Sequence, residues 1–128
     1  FTKWSGYHPE DGPTTEEMPP SYIAIFGDKN IKSNREFQID AGAAGTVIQL
    51  AAEELGLSSC WLGAIDRKNI SDILKASENL ELLYLIAIGY SDQKGRTVLR
   101  NDDIKYYTDE NGVLTVPKRG LDEIIIHL

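Results

Sequence analysis

The chain has 128 residues, a length that holds one domain. Its 13 Lys and Arg against 20 Asp and Glu leave a formal net charge of -7, which argues against generic nucleic-acid binding and against docking on anionic membranes. One cysteine, Cys60, rules out an internal disulfide framework and fits a reducing, cytoplasmic setting.

The two histidines, His8 and His127, stand at opposite ends of the chain, so no metal-ligand spacing is available. The longest apolar run, residues 82–88, is far short of the roughly 20 residues of a membrane helix. The chain begins at Phe1 without Met or a signal-like segment, and reads as the middle of a longer protein.

Residues 1–21 are rich in turn formers. Pro9, Pro13, Pro19 and Pro20 forbid a long helix, and Trp4 and Tyr7 read as aromatic anchors of a loop or lid. Tyr22 to Phe26 is an apolar run closed by Gly27 and Asp28, a strand expected to be buried on both faces. Residues 28–37 are charged and expected to be solvated. Asp40 is a suitable N-cap for a helix running to Leu55, with Gly56 as its left-handed stop. Ala41, Ala44, Ile48, Ala51 and Leu55 make one apolar stripe, and Ala43, Val47 and Leu50 a second that should widen the buried surface. Gly42 and Gly45 each cost a helix about 1 kcal/mol, so something must approach the bare first turns closely: another helix backbone or a flat ligand.

Cys60 to Ile65 reads as a short strand ending in a loop. Arg67 to Ala76 reads as a helix with Ile70, Ile73 and Leu74 inward, and Glu81 to Gly89 as a central strand. Residues 91–103 are polar, with charges of both signs. Residues 104–108 and 113–116 form a hairpin with Asn111 and Gly112 in its turn. Leu121, Ile124, Ile125 and Leu128 mark a short amphipathic C-terminal helix. The alternation, broken by the hairpin, predicts a single α+β domain over residues 1–128, its sheet mixed or mostly antiparallel and covered by helices.

The common catalytic constellations are missing. No dinucleotide or P-loop fingerprint occurs. Cys60 has apolar neighbours and reads as a buried structural thiol. The acid pairs Glu16–Glu17 and Asp102–Asp103 read as solvated loop residues. Two features remain. Lys118 and Arg119, introduced by Pro117 and released by Gly120, suit a phosphate, or are a solvated basic turn. Gly63, directly after a strand, suggests backbone that approaches a ligand, or a tight strand exit.

At these two features the sequence resembles the nitroreductase family of FMN-dependent oxidoreductases. The resemblance is carried by residues 40–45 (DAGAAG), 50–57 (LAAEELGL), 60–63 (CWLG), 85–90 (LIAIGY) and 116–119 (VPKR), in the family's order and spacing. It implies an α+β fold with a central, mainly antiparallel sheet flanked by helices. It implies an intertwined homodimer with FMN at the interface and the helix from Asp40 to Leu55 along the seam. By the same resemblance Cys60, Trp61, Leu62 and Gly63 line the isoalloxazine, and the backbone amide of Gly63 or Ala64 faces its N5/O4 edge. Lys118 and Arg119 then bind the FMN phosphate. The implied activity is ping-pong transfer of hydride from NAD(P)H to nitroaromatics, quinones or related acceptors. The flavin carries that chemistry, so no catalytic side chain is obligatory. The family's N-terminal Arg-x-Ser-x-Arg-like motif does not occur here. Without it, a non-catalytic flavin-binding or interaction module of the same fold is the alternative.

Overall fold

The structure, a computed structural model, describes residues 15–16, 18–31, 34–100 and 103–126. The expected lid anchors Trp4 and Tyr7, both histidines, and one member of each acid pair (Glu17, Asp102) lie outside those residues. The chain divides into two compact units, one ending at Tyr90 and the other beginning at Ser91.

The first unit holds β1 (Ser21–Asp28), α1 (Asn34–Glu54), β2 (Ser58–Leu62), α2 (Arg67–Ile73) and β3 (Leu80–Gly89). Its antiparallel sheet has the order β1-β3-β2, so the apolar run does become the central strand. Ile86, at the middle of β3, is fully buried. β1 is an edge strand, and most of its residues are half-exposed rather than covered on both faces. Between Ile25 and Phe26 the pairing with β3 skips Leu83, because Ile25 faces Tyr84 while Phe26 faces Leu82. This bulge turns two consecutive residues toward one side. Leu83 and Tyr84 pack with Phe37 and Ala41 of α1, whereas Leu82 and Leu85 pack with Ile70 of α2.

α1 begins six residues before the expected N-cap, and Asp40 lies inside it. The residues that seat it on the sheet are Phe37, Ala41, Gly45 and Ala52, spaced for one helical face. Phe37, expected in a solvated loop, is buried because it fills the angle between α1 and β1 beneath Gly27. The second stripe does not add to the buried surface. Val47 and Leu50 are about two-thirds exposed, at 65% and 67%, because the sheet contacts one side of the helix only. Ala44, Ala51 and Leu55 of the first stripe are exposed as well. The helix ends as expected at Gly56, φ 74°, with Leu57 N–H donating to Ala52 O at 2.9 Å and Gly56 N–H to Glu53 O at 3.0 Å. α2 is shorter than expected. Ile70 is its buried contact, while Ile73 and Leu74 are exposed, since two turns reach the sheet at one point.

The second unit holds β4 (Gly95–Leu99), β5 (Tyr107–Thr108), β6 (Leu114–Lys118) and α3 (Leu121–Ile124). β6 is central, parallel to β4 and antiparallel to β5. The β5–β6 hairpin turns through Gly112, φ 75°, and Asp109 organises it. Its Oδ1 accepts the N–H groups of Asn111 and Val113, both at 2.9 Å. Arg96 ties β4 to this turn, donating through Nε to the fully buried Thr115 hydroxyl at 3.0 Å and through Nη2 to Asp109 at 3.0 Å. The C-terminal helix is a single turn, because Ile125 is already extended.

Candidate functional site

β2 presents its side chains in alternation. The Trp61 indole turns toward α1 and Leu62 toward the α2 side, where it packs on the Ile70, Leu82 and Leu85 cluster. Trp61 answers the question posed by Gly45. A Cβ built at residue 45 would stand 1.7 Å from Trp61 Cζ3, so the glycine is there to let the indole lie on the helix. The close approach comes from the protein's own side chain. Around Gly42 a Cβ would meet nothing within 4 Å. Tyr84 also lies against Trp61, with ring centroids 4.9 Å apart and planes tilted by 56°. The Tyr84 hydroxyl donates to Gln38 Oε1 at 2.7 Å, closing a chain of contacts from β2 through β3 to α1.

Cys60 is exposed, not buried as expected, on an edge strand of the sheet. Surrounding protein still desolvates the thiol enough to push its pKa up, which disfavours the thiolate. That environment does not make a nucleophile.

Gly63 and Ala64 follow β2 and are both exposed. Neither backbone geometry nor packing requires glycine at 63. Its φ is not positive, and a Cβ there would touch only Tyr84, at an ordinary 3.9 Å. The carbonyl of Gly63 accepts the Ile65 N–H at 3.1 Å and the Arg67 guanidinium at 3.1 Å. Among the described residues the N–H groups of Gly63 and Ala64 have no acceptor. The exit from β2 therefore presents two exposed backbone donors beside a position kept small.

In the second unit, Lys118 ends β6 and Arg119 follows it. Both are exposed, and neither makes an ion pair or hydrogen bond through its side chain among the described residues. Their neighbours are spoken for. Arg100 holds Glu123 through Nε at 3.1 Å and through Nη2, and its N–H donates to Lys118 O at 2.8 Å. The Arg100 hydrogen bond, foremost, and the Gly120 N–H keep the Glu123 carboxyl below its usual range. Glu123 is thus engaged chiefly with Arg100, although the Arg119 charge also acts on it.

A groove of about 280 Å³ in the first unit lies elsewhere, between β1 and the start of α1, lined by Ile25, Phe26, Phe37, Ala41 and Ala44. It includes none of Cys60 to Ala64. Arg67 is the site residue that the sequence did not single out, because at the first position of a helix it looks like any solvated cation.

An antiparallel three-stranded sheet under a long helix, followed by a smaller mixed sheet, is an α+β arrangement. Comparison with known proteins gives it a family. The family model described as "Nitroreductase family" matches residues 16–90. Among solved structures, an FMN-dependent nitroreductase from Clostridium difficile R20291 is similar at 31% identity and a TM-score of 0.56, over 86% of this chain and 57% of that one. No match is found among curated proteins. The chain belongs to the nitroreductase family, and it spans little more than half the length of the structure it matches.

Proposed function

We propose that this chain binds FMN and forms part of a flavin oxidoreductase. The observation that carries the reading is the β2 exit. Among the described residues nothing requires glycine at 63, and the two exposed N–H groups at 63 and 64 suit the electron-rich edge of an isoalloxazine. In this proposal the segment from Cys60 to Ala64 carries the ring: Gly63 and Ala64 face it with their backbone, while Trp61 and Leu62, packed on opposite sides of β2, fix the strand that leads to them. Lys118 and Arg119 hold the phosphate, with a fork from the arginine and a point charge from the lysine. Each set suits its own part of the group, since the ring needs an uncrowded backbone edge and the phosphate needs exposed positive charge.

When bound, the flavin supplies the redox chemistry, accepting hydride from NAD(P)H and passing electrons in a second half-reaction to a nitroaromatic, quinone or related small-molecule acceptor. The chain's own residues bind and orient. The N–H donors at the β2 exit stabilise negative charge on the ring edge facing them, and the Trp61–Tyr84 stack keeps β2 from shifting beneath them. Both units belong to one functional domain in this reading, and two copies form a cytoplasmic homodimer along the exposed apolar stripe of α1. That stripe, with Ile39, Val47 and Leu50, is the kind of surface a monomer rarely leaves uncovered.

The test is a titration of the purified protein with FMN and with riboflavin, which lacks the phosphate, followed by NAD(P)H oxidation with an acceptor. Joint replacement of Lys118 and Arg119 by Ala is expected to weaken FMN by about 100-fold or more, two charge-assisted contacts being worth about 1.5–3 kcal/mol each, and to leave riboflavin unchanged. A protein that takes up no FMN refutes the reading. The partial coverage of the similar structure favours one second reading, a module that binds flavin without turnover. Bound flavin that no electron donor reduces would establish it.

A further inference from the structure

We propose that Arg67 is the positioning residue of this site, locking the Gly63–Ala64 peptide so that the Ala64 N–H is held outward as the donor to the flavin. The inference rests on the flavin reading above and names the group that sets its geometry. Arg67 Nη2 donates to Gly63 O at 3.1 Å and to Leu83 O at 2.9 Å. Leu83 is the residue that the β1–β3 ladder skips, so its carbonyl is available to a side chain because of the bulge. One guanidinium thus bridges the bulge of the central strand to the exit of β2.

The consequence for Ala64 follows from peptide geometry. The peptide is planar and trans, so the carbonyl of Gly63 and the N–H of Ala64 point from opposite edges of one rigid unit. Pinning the carbonyl toward Arg67 and the Ile65 N–H fixes the direction of the Ala64 N–H, which has no acceptor among the described residues. A cation on the carbonyl also polarises the amide and makes its N–H a stronger donor. Arg67 is itself well fixed. It opens α2 directly after Asp66, whose Oδ1 caps the helix by accepting the Asn69 N–H at 3.1 Å. Arginine suits the task because its charge is permanent and its planar head spans two acceptors. Arg67 therefore acts on the amide of Ala64, while that of Gly63 follows Leu62 at the end of the ladder.

The experiment uses Arg67→Met and Arg67→Lys in the full chain, with FMN and riboflavin as probes and the Ala64 amide resonance of the flavin-free protein as a second readout. Arg67→Met is expected to weaken FMN and riboflavin by the same factor, about tenfold, because the ring and not the phosphate loses its partner. Arg67→Lys keeps a cation near the carbonyls and falls between Arg67→Met and the unmodified protein. In Arg67→Met the Ala64 amide resonance moves or broadens while that of Ile86, at the centre of the sheet, stays in place. Equal flavin affinities in all three proteins would overturn the inference and leave the flavin reading intact. A loss confined to FMN would also overturn it, by placing Arg67 at the phosphate. If the unmodified protein binds neither flavin, the reading itself fails and the assigned ligand goes with it.

Discussion

Replacing Gly45 by Ala should destabilise the protein, although alanine is the better helix former. The gain in propensity is about 1 kcal/mol. Against it, the new methyl would lie 1.7 Å from Cζ3, 2.3 Å from Cη2 and 2.8 Å from Cε3 of Trp61. Carbon atoms rest about 3.5–4.0 Å apart, so the indole must retreat by about 2 Å. Its freedom to move is limited by the neighbouring Tyr84, whose hydroxyl is tethered to Gln38. Overpacking of this kind costs about 1–3 kcal/mol, so after the gain in propensity the expected net loss is up to about 2 kcal/mol. Gly42→Ala is the control. With nothing within 4 Å of the added carbon, it should gain close to the full propensity of about 1 kcal/mol. Guanidinium denaturation followed by circular dichroism measures both. Adding Trp61→Leu to Gly45→Ala should restore a stabilising sign to the alanine. The reasoning is refuted if Gly45→Ala raises the midpoint as much as Gly42→Ala while Trp61 is present.

Two further predictions concern titration and assembly. The Asp109 carboxyl is held below its usual range first by the Val113 N–H, then by the Asn111 N–H and Arg96. Its charge therefore stabilises the fold above about pH 4, and that contribution drains away as pH falls toward the lowered folded value. Asp109→Asn should be less stable at neutral pH and should lose less on acidification, and an unchanged acid limb in thermal melts would contradict this. Val47→Glu with Leu50→Glu should convert a dimer to a monomer in sedimentation. Both side chains are exposed within the chain, so helix content should persist, and a dimer that survives the change would remove α1 as the seam.

The parts of the fold that the sequence made legible are those with a local cause. Gly56 and Gly112 adopt the left-handed conformations that the helix stop and the hairpin turn need. The apolar density of residues 80–89 made β3 central, and that same density hid its bulge, since alternation cannot set register where nearly every residue is apolar. β4 arises within polar residues and is largely exposed, held by its backbone pairing to β6, so no side-chain pattern announced it. The early start of α1 was masked by Arg35 and Glu36, although Phe37 and Ala41 already carry the helical spacing. At the candidate site, Gly63 stood out by type and place. Arg67 did not, because its partners are two backbone carbonyls, one of them sixteen residues away.

β1 and β2 never touch as strands; each pairs with β3 alone, and β3 is the last of the three along the chain. A ribosome therefore delivers the two outer strands and the long helix before the piece that unites them. Until residue 89 has emerged, Phe37 lacks Leu83, Trp61 lacks Tyr84 and α1 lacks the central strand of its sheet, which makes the nascent chain a natural client for chaperones. Cutting the message before Leu80 should yield a polypeptide with helical signal and no sheet at all, whereas a stop after Tyr90 leaves every strand of the first unit with its neighbour.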